Sequence, residues 1–102
     1  MNVGKGSQRV LVTAGAGGIG LAIATAFHAA GARVFICDID DAALGRAAAA
    51  LPGLLVRRCN IGDRADAIAM VAEATLKMGG IDVLVNNAGI GGPTAPAHEM
   101  DP

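Results

Sequence analysis

Short apolar runs alternate with amphipathic segments along most of the chain. The apolar runs at residues 10–13, 33–37, 54–59 and 81–85 have the length and composition of buried strands. Between successive strands, apolar residues recur every three or four positions, as they do in a helix that packs on one face. The predicted order is therefore β-α-β-α-β-α-β, which is typical of an α/β fold with a parallel sheet covered on both faces.

Acidic caps and glycines delimit the three predicted helices, the first of which spans residues 19–30. The predicted N-caps are Asp40 or Asp41 for the second helix and Asp63 for the third. The predicted C-terminal stops, in chain order, are Gly31, Pro52-Gly53 and Gly79-Gly80.

Helical spacing also predicts which residues face the sheet. In the first helix these are Ile19, Ala22, Ile23, Ala26, Phe27 and Ala30. In the second helix they are Leu44, Ala47, Ala48 and Leu51, and in the third Ala65, Ile68, Ala72 and Leu76. The charged residues expected on the solvated side of the third helix are Arg64, Asp66, Glu73 and Lys77, the last two as an i,i+4 pair.

A glycine-rich loop joins the first strand to the first helix. Gly15, Gly17 and Gly20 satisfy G-x-G-x-x-G, and the loop follows a strand and opens a helix, which is the context of a dinucleotide-binding turn. With Gly18 also bare, the backbone N–H groups at the positive end of the helix dipole are open to a pyrophosphate. The alternative is an ordinary tight turn between strand and helix.

Asp38 follows the second strand, 18 residues after Gly20. A carboxylate at this place can accept hydrogen bonds from both ribose hydroxyls of an adenosine, and it would repel a 2′-phosphate. No Arg or Lys occurs in the next three positions, Ile39-Asp40-Asp41. The sequence therefore predicts NAD in preference to NADP, with a simple turn cap as the alternative role of Asp38.

Asn86-Asn87-Ala88-Gly89 follows the fourth strand. Its two amides can bridge backbone groups of neighbouring strands, and the small residues after them leave room for a ligand over the sheet edge. Taken alone, the four residues are also an ordinary turn sequence.

Together these motifs resemble those of the short-chain dehydrogenase/reductase family, in its compact single-domain branch. The family's Thr-Gly-x-x-x-Gly-Ile-Gly is matched at Thr13, Gly18, Ile19 and Gly20 and departs at Ala14. Because Ala disfavours positive φ, neighbouring Gly15 could take up the turn instead. The family's remaining motifs, which are an acid after strand two, an Asn-aliphatic pair after strand three and Asn-Asn-Ala-Gly, fall on Asp38, Asn60-Ile61 and residues 86–89.

The resemblance implies a Rossmann-type doubly wound sheet with strand order 3-2-1-4, and hydride transfer between nicotinamide and an alcohol or ketone carbon. It places the pyrophosphate on the glycine loop, the adenine against Asn60-Ile61, and Asn87 near the inner ribose. The predicted cofactor-binding residues are Gly15, Gly17, Gly18, Ile19, Gly20, Asp38, Ile39, Asn60, Ile61, Asn87, Ala88 and Gly89.

The family's proton transfer uses a Tyr, a Lys four residues later and a Ser, which lie beyond the Asn-Asn-Ala-Gly motif. This chain has no tyrosine, so no catalytic residue is predicted in it. We expect an N-terminal tail (1–8), a dinucleotide-binding half-domain (9–92) and a C-terminal loop (93–102) that is truncated before the catalytic half. The alternatives are a non-catalytic nucleotide-binding module and a nonfunctional fragment.

Charge and composition limit the classes of binding partner and the location that the sequence predicts. The net charge is −1 and no basic run occurs, which argues against nucleic-acid binding. Two isolated cysteines do not form a secreted disulfide framework, and no apolar stretch has the length of a membrane span. The sequence predicts a soluble cytoplasmic protein without a metal site. Its exposed fourth strand predicts a homo-oligomer.

Overall fold

In the computed structural model, which describes residues 8–88, four parallel strands form one sheet in the order β3-β2-β1-β4. The elements are β1 (Arg9–Thr13), α1 (Gly18–Ala29), β2 (Arg33–Asp38), α2 (Asp41–Ala50), β3 (Leu55–Arg58), α3 (Arg64–Met78) and β4 (Val83–Val85). The predicted fold class and strand order are both confirmed. Strand boundaries differ from the predicted ones by one or two residues at most, because edge pairing decides where each ladder ends.

Alternation along the strands divides the core into two layers. Val12 and Ile36 point to the face covered by α1 and α2. Leu11 and Phe35 point to the opposite face, where they meet α3. Because both faces of β1 and β2 are buried, the central residues of these strands are apolar on both faces, as in other parallel sheets.

The predicted buried stripe of α1 is only partly right. Gly20 and Ala24 are the fully buried residues, whereas Ile19 is 63% exposed and Ala22, Ala26 and Ala30 are also on the solvent side. Ile23 and Phe27 lie partly buried against the core, as predicted. The helix is rotated because its smallest residues lie against the sheet, which allows a closer approach than Ile19 would permit.

The predicted stripe of α3 is wrong. The buried residues are Met70, Ala74 and Met78, whereas Ile68 is 58% and Leu76 is 83% exposed. Ala65 and Ala72 are exposed as well. The predicted and the buried apolar residues lie on opposite sides of this helix, and contacts with the sheet, including those of β3, decide which side is buried.

Those contacts also correct the prediction of a purely solvated charged side on α3. Arg57 of β3 donates to Glu73 and to Asp66, each at 3.0 Å. Glu73 also forms the predicted pair with Lys77, at 3.1 Å. Orienting Asp66 and Glu73 toward β3 turns Ile68 and Leu76 away from the sheet.

The helix ends follow their local signals. Asp40 caps α2 by accepting from the Ala43 N–H, and Asp63 caps α3 by accepting from the Asp66 N–H. In α2 the predicted Leu44 and Ala47 are buried together with Ala43, and Ala48 and Leu51 are half-buried. Within residues 8–88, no helix combines the length and the apolar character that crossing a bilayer requires.

An ion pair between Arg9 and Asp82 joins β1 to the segment before β4 at the amino ends of the strands. The Arg9 backbone and side chain donate to both carboxylate oxygens of Asp82 at 2.8 to 2.9 Å, and Arg9 Nη1 also donates to the Gly79 carbonyl at 2.7 Å. These hydrogen bonds from Arg9 lower the pKa of Asp82 to about 2. The pair ties β1 to the α3–β4 turn, on the edge opposite the glycine loop.

Candidate functional site

The carboxyl ends of the strands form the candidate site. β2 and β3 lie on one side of β1, and β4 lies on its other side. The order in which successive strands join the sheet therefore reverses at β1. Ligands of doubly wound sheets bind in the crevice at such a switch point. The predicted motifs all follow strands that end at this edge.

A cleft of about 190 Å³ opens between the ends of β1, β2 and β3. Its lining residues are Ala14, Cys37, Asp38, Ile39, Cys59, Asn60, Ile61 and Ala88. The fold thus brings together five of the predicted cofactor-binding residues, which come from three separate segments of the sequence.

The first turn of the glycine loop is formed by Ala14, not by Gly15. Ala14 has φ of 52°, in the left-handed region, and is the one non-glycine residue of the described chain with positive φ. The Gly15 N–H donates to the Cys37 carbonyl at 3.0 Å, and a Cβ on Gly15 would come within 2.7 Å of Ile36. Gly15 therefore serves close packing against β2, and the expectation that it could take up the turn is wrong.

Gly20 allows the loop and the fourth strand to meet. A Cβ on this residue would collide with the Ala14 carbonyl and the Asn87 amide. The Asn87 Nδ2 donates to that same carbonyl at 3.1 Å. The third glycine of the motif therefore makes room for a hydrogen bond between the loop and Asn87.

The N-terminus of α1 is open. Its N-cap is Gly17, no side chain caps it among the described residues, and its first turn has no acidic residue. Gly17, Gly18 and Ile19 are exposed. The first backbone N–H groups of a helix lack partners within the helix, so this end can receive an anionic group at the positive end of the helix dipole.

Thr13 anchors the segment after β4 and is a contributor whose contacts the sequence did not predict. It is 3% exposed, and its Oγ1 accepts from the Ala88 N–H at 3.0 Å. The same hydroxyl lies 3.2 Å from Asn86 Oδ1 and 3.4 Å from the Val85 carbonyl, so its single proton has two acceptors in reach. A buried hydroxyl at a strand end was the available signal, because such groups need partners.

The carboxylate of Asp38 accepts two hydrogen bonds from backbone N–H groups. Its Oδ2 accepts from the Ala16 N–H and its Oδ1 from the Asp40 N–H, each at 3.1 Å. The turn-capping role is thus present in the structure. A carboxylate has about four acceptor sites, so both oxygens keep capacity for ribose hydroxyls.

Two exposed isoleucines flank the cleft. Ile39 is 54% and Ile61 is 40% exposed, and they follow β2 and β3 respectively. Apolar side chains that border a cleft suit a flat aromatic ligand. Asn60 stands beside them, and its Oδ1 accepts from the Gly62 N–H at 3.0 Å, which closes the turn after β3.

Cys37 and Cys59 line the cleft as buried free thiols. Burial raises the pKa of the Cys37 thiol to about 11, and burial also raises the pKa of Cys59. Both thiols are therefore protonated at neutral pH and poor nucleophiles.

Some of the predicted features lie outside the described residues. These are Gly89, the tail at 1–8 apart from residue 8, and the C-terminal loop at 93–102. Within residues 8–88, no cluster of three or more His, Cys, Asp or Glu side chains is arranged to hold a metal ion.

Comparison with known proteins identifies the family. The short chain dehydrogenase family matches residues 8–102. A matching relative, "Short chain dehydrogenase/reductase dpmpG" of Macrophomina phaseolina, is 42% identical over 96 residues, which are 89% of this chain and 55% of that protein. The chain thus spans about half the length of this relative and about a third of "Galactitol 2-dehydrogenase" of Agrobacterium fabrum, to which it is 46% identical over 81 residues.

Solved structures agree in fold and in sequence. The actinorhodin polyketide ketoreductase with NADPH superposes with a TM-score of 0.77 and 34% identity, over 79% of this chain and 33% of that one. The 3-ketoacyl-(acyl-carrier-protein) reductase from Brucella melitensis, complexed with NADH, superposes with a TM-score of 0.73 and 32% identity, over 78% of this chain and 33% of that one. With the glycine loop, Asn86-Asn87-Ala88 and the strand order in place, this chain belongs to the short chain dehydrogenase family.

Proposed function

We propose that this chain is the NAD(H)-binding portion of an oxidoreductase that transfers hydride between nicotinamide and an alcohol or ketone carbon. The observation that carries the proposal is the cleft at the strand ends, where Asp38, Ile39 and Asn60-Ile61 converge beside an open helix N-terminus. The bound nicotinamide would supply the hydride chemistry, and the residues of this chain would bind and orient the dinucleotide.

Each part of the site would hold one part of the cofactor. The open N-terminus of α1 at Gly17–Ile19 would receive the pyrophosphate, because exposed N–H groups and the helix dipole both favour an anion there. Asp38 would accept hydrogen bonds from the adenosine ribose. Ile39 and Ile61 would lie against the adenine.

The nicotinamide side would lie over Asn87, Ala88 and Gly89. The hydrogen bond from Asn87 to Ala14 and the one from Ala88 to Thr13 hold Asn87 and Ala88 beside the glycine loop. A dinucleotide that spans the sheet edge would thus contact segments following β1, β2, β3 and β4.

NAD is the proposed cofactor in preference to NADP. The half-buried carboxylate of Asp38 would be forced against a 2′-phosphate, and repulsion between two anions at short range disfavours such a complex. Among the similar structures, one is described with NADPH and another with NADH, so the family accommodates both.

The proton transfer that accompanies hydride transfer would need residues outside these 102, since the chain has no tyrosine. The substrate of the whole enzyme would be a small-molecule alcohol or ketone. The second candidate function, favoured by the same lack of tyrosine, is a nucleotide-binding module without turnover. We further propose that residues 9–92 form a dinucleotide-binding half-domain. A cytoplasmic location is proposed in accordance with the free thiols of Cys37 and Cys59. No nucleic-acid or membrane partner is proposed.

A homo-oligomer is proposed from the exposed side of the sheet. Leu84 of β4 is 60% exposed on the face of the sheet that α3 covers, and Ile68 on the outer side of α3 is 58% exposed. An apolar edge strand with unpaired backbone groups favours association with another chain.

The test is a fluorescence titration of the 102-residue chain with NADH, with NADPH as the matched ligand. Saturable NADH binding with weaker NADPH binding is the expected result. Failure to bind either dinucleotide by a folded chain would contradict the proposal. When an alcohol is added with NAD⁺, or a ketone with NADH, both candidates predict no turnover by this chain, because it has no tyrosine. Turnover would exclude a purely binding module and would also contradict the proposal that proton transfer needs residues outside the chain.

A further inference from the structure

Asp66 lies behind the cleft, on the first turn of α3, and none of the sequence motifs includes it. Its Oδ2 accepts from the Asn60 N–H at 2.8 Å, and its Oδ1 accepts from Arg57 Nη1 at 3.0 Å. Its own N–H donates to the Asp63 cap at 3.2 Å. One carboxylate therefore joins β3, the turn after β3 and the start of α3.

The backbone of Asn60 makes two hydrogen bonds, one through its N–H to Asp66 and one through its carbonyl. The residue is exposed, and its side chain is engaged in closing its own turn onto Gly62. The Asp63 N–H donates to the Asn60 carbonyl at 2.9 Å, so the turn is closed locally, and Asp66 attaches it to α3 through the Asn60 N–H.

Arg57 in turn fixes the carboxylate. Its guanidinium spans Asp66 and Glu73, which lie two turns apart on α3, and its side chain is only a quarter exposed. The Asn60 N–H and then the Arg57 guanidinium lower the pKa of Asp66 below its ordinary value, so the carboxylate is charged at neutral pH. Hydrogen bonds to an ionised acceptor are shorter and stronger than neutral ones.

We propose that Asp66 is a positioning residue for the adenine end of the cofactor, which it serves by holding the Asn60-Ile61 wall of the cleft through the Asn60 N–H. The inference rests on the proposed dinucleotide binding and deepens it. Asp66 does not line the cleft, so its effect would be transmitted through the turn. Ile61, next to the held N–H, is the wall residue whose placement would change.

The test compares ligands that reach different parts of the site. Adenosine 5′-monophosphate would contact both the adenine wall and the glycine loop, whereas inorganic pyrophosphate would contact the loop alone. Binding of each is measured on the 102-residue chain by NMR titration. Asp66→Ala is expected to weaken the binding of adenosine 5′-monophosphate about ten-fold and to keep the binding of pyrophosphate within about two-fold of that of the parent chain. The same variant should speed hydrogen exchange at the Asn60 amide.

Glu73→Gln is the matched control, because it removes the other carboxylate partner of Arg57 and leaves the Asn60 contact in place. It should bind adenosine 5′-monophosphate within about two-fold of the parent chain. If Asp66→Ala binds this nucleotide as tightly as the parent, or if Glu73→Gln weakens it equally, the positioning role is overturned. Equal weakening of nucleotide and pyrophosphate would also overturn it, since that is a general loss of structure.

Asp66→Asn carries the test if Asp66→Ala does not fold. An amide keeps one acceptor oxygen but carries no charge. The binding of adenosine 5′-monophosphate should therefore weaken about three-fold, and the binding of pyrophosphate should not change. Parent-like nucleotide binding by a folded Asp66→Asn chain would overturn the inference. If the parent chain binds neither ligand nor NADH, the proposed function itself fails, which is a different result from binding that is insensitive to Asp66.

Discussion

The side-chain amide of Asn87 donates to the carbonyl of Ala14 at 3.1 Å, across 73 positions of sequence. This hydrogen bond joins the segment after β4 to the first turn of the glycine loop. It passes the backbone of Gly20, where a Cβ would collide with both partners. The loop conformation and the placement of Asn87 are therefore coupled.

Gly20→Ala should disrupt this coupling. The added methyl has no space beside the Ala14 carbonyl, so either the Asn87 hydrogen bond breaks or α1 moves away from the sheet. We expect a loss of about 1–3 kcal/mol in the free energy of unfolding, measured by urea denaturation, and at least about ten-fold weaker NADH binding. Gly45→Ala is the control, because a Cβ there meets open space within α2. It should stabilise the helix by up to about 1 kcal/mol and leave binding unchanged. Equal effects of the two substitutions would contradict the steric argument.

Ala14→Gly should stabilise the chain. Ala14 has φ of 52°, and glycine adopts that conformation without the steric cost that alanine has. After the greater backbone entropy of glycine in the unfolded chain is subtracted, a gain of about 0.5 kcal/mol remains. Urea denaturation measures it, and Ala22→Gly on the exposed side of α1 should instead destabilise by about 1 kcal/mol. A destabilised Ala14→Gly chain would show that the positive φ is not costly at this site.

Asp38→Ala should reduce the preference for NADH over NADPH. The substitution removes the acceptor for the ribose hydroxyls and the charge that opposes a 2′-phosphate, so the ratio of the two dissociation constants should move about ten-fold toward unity. Asp41→Asn, an exposed acid at the first position of α2, is the control and should keep the ratio. The fluorescence titration reports both values, and an unchanged ratio in Asp38→Ala would exclude the selectivity role.

Asp82→Asn should change how stability depends on acid. The pKa of Asp82 falls from 3.8 to about 2 in the folded chain, so its ion pair with Arg9 contributes stability above pH 3.8. That contribution disappears as the pH falls through about 2, because the folded state then takes up the proton as well. The variant should be less stable than the parent at pH 7, and the difference should narrow between pH 4 and pH 2. Thermal denaturation across this range checks it, and a constant difference would contradict the linkage.

Leu84→Lys should reduce self-association of the chain. A lysine on the exposed position of β4 would place a charge on the edge that we propose to pair with another copy. Sedimentation velocity should show a shift toward monomer, while Ala50→Lys at the exposed end of α2 adds the same charge elsewhere and should leave association unchanged. A parent chain that sediments as a stable monomer would contradict the proposed homo-oligomer.

Caps and the order of elements could be predicted because they depend on near neighbours. Asp63 caps α3 through a residue three positions away, and Asp40 caps α2 in the same way. The period of apolar residues distinguished strands from helices for a similar reason, since it reports local geometry. The glycine loop and Asp38 could be identified from the sequence as motifs. The parallel sheet places both at the same edge, where the cleft forms.

The sequence by itself thus determined the α/β order, the family and the segments from which the site is built. Only the tertiary structure decided which stripe of α3 is buried, because Arg57 on β3 turns Asp66 and Glu73 toward the sheet. It also decided that Ala14 takes the positive φ, since the Gly15 N–H is directed to β2 and the Ala14 carbonyl to Asn87. These outcomes depend on contacts between residues far apart in the chain, and such contacts exist only after the strands have paired.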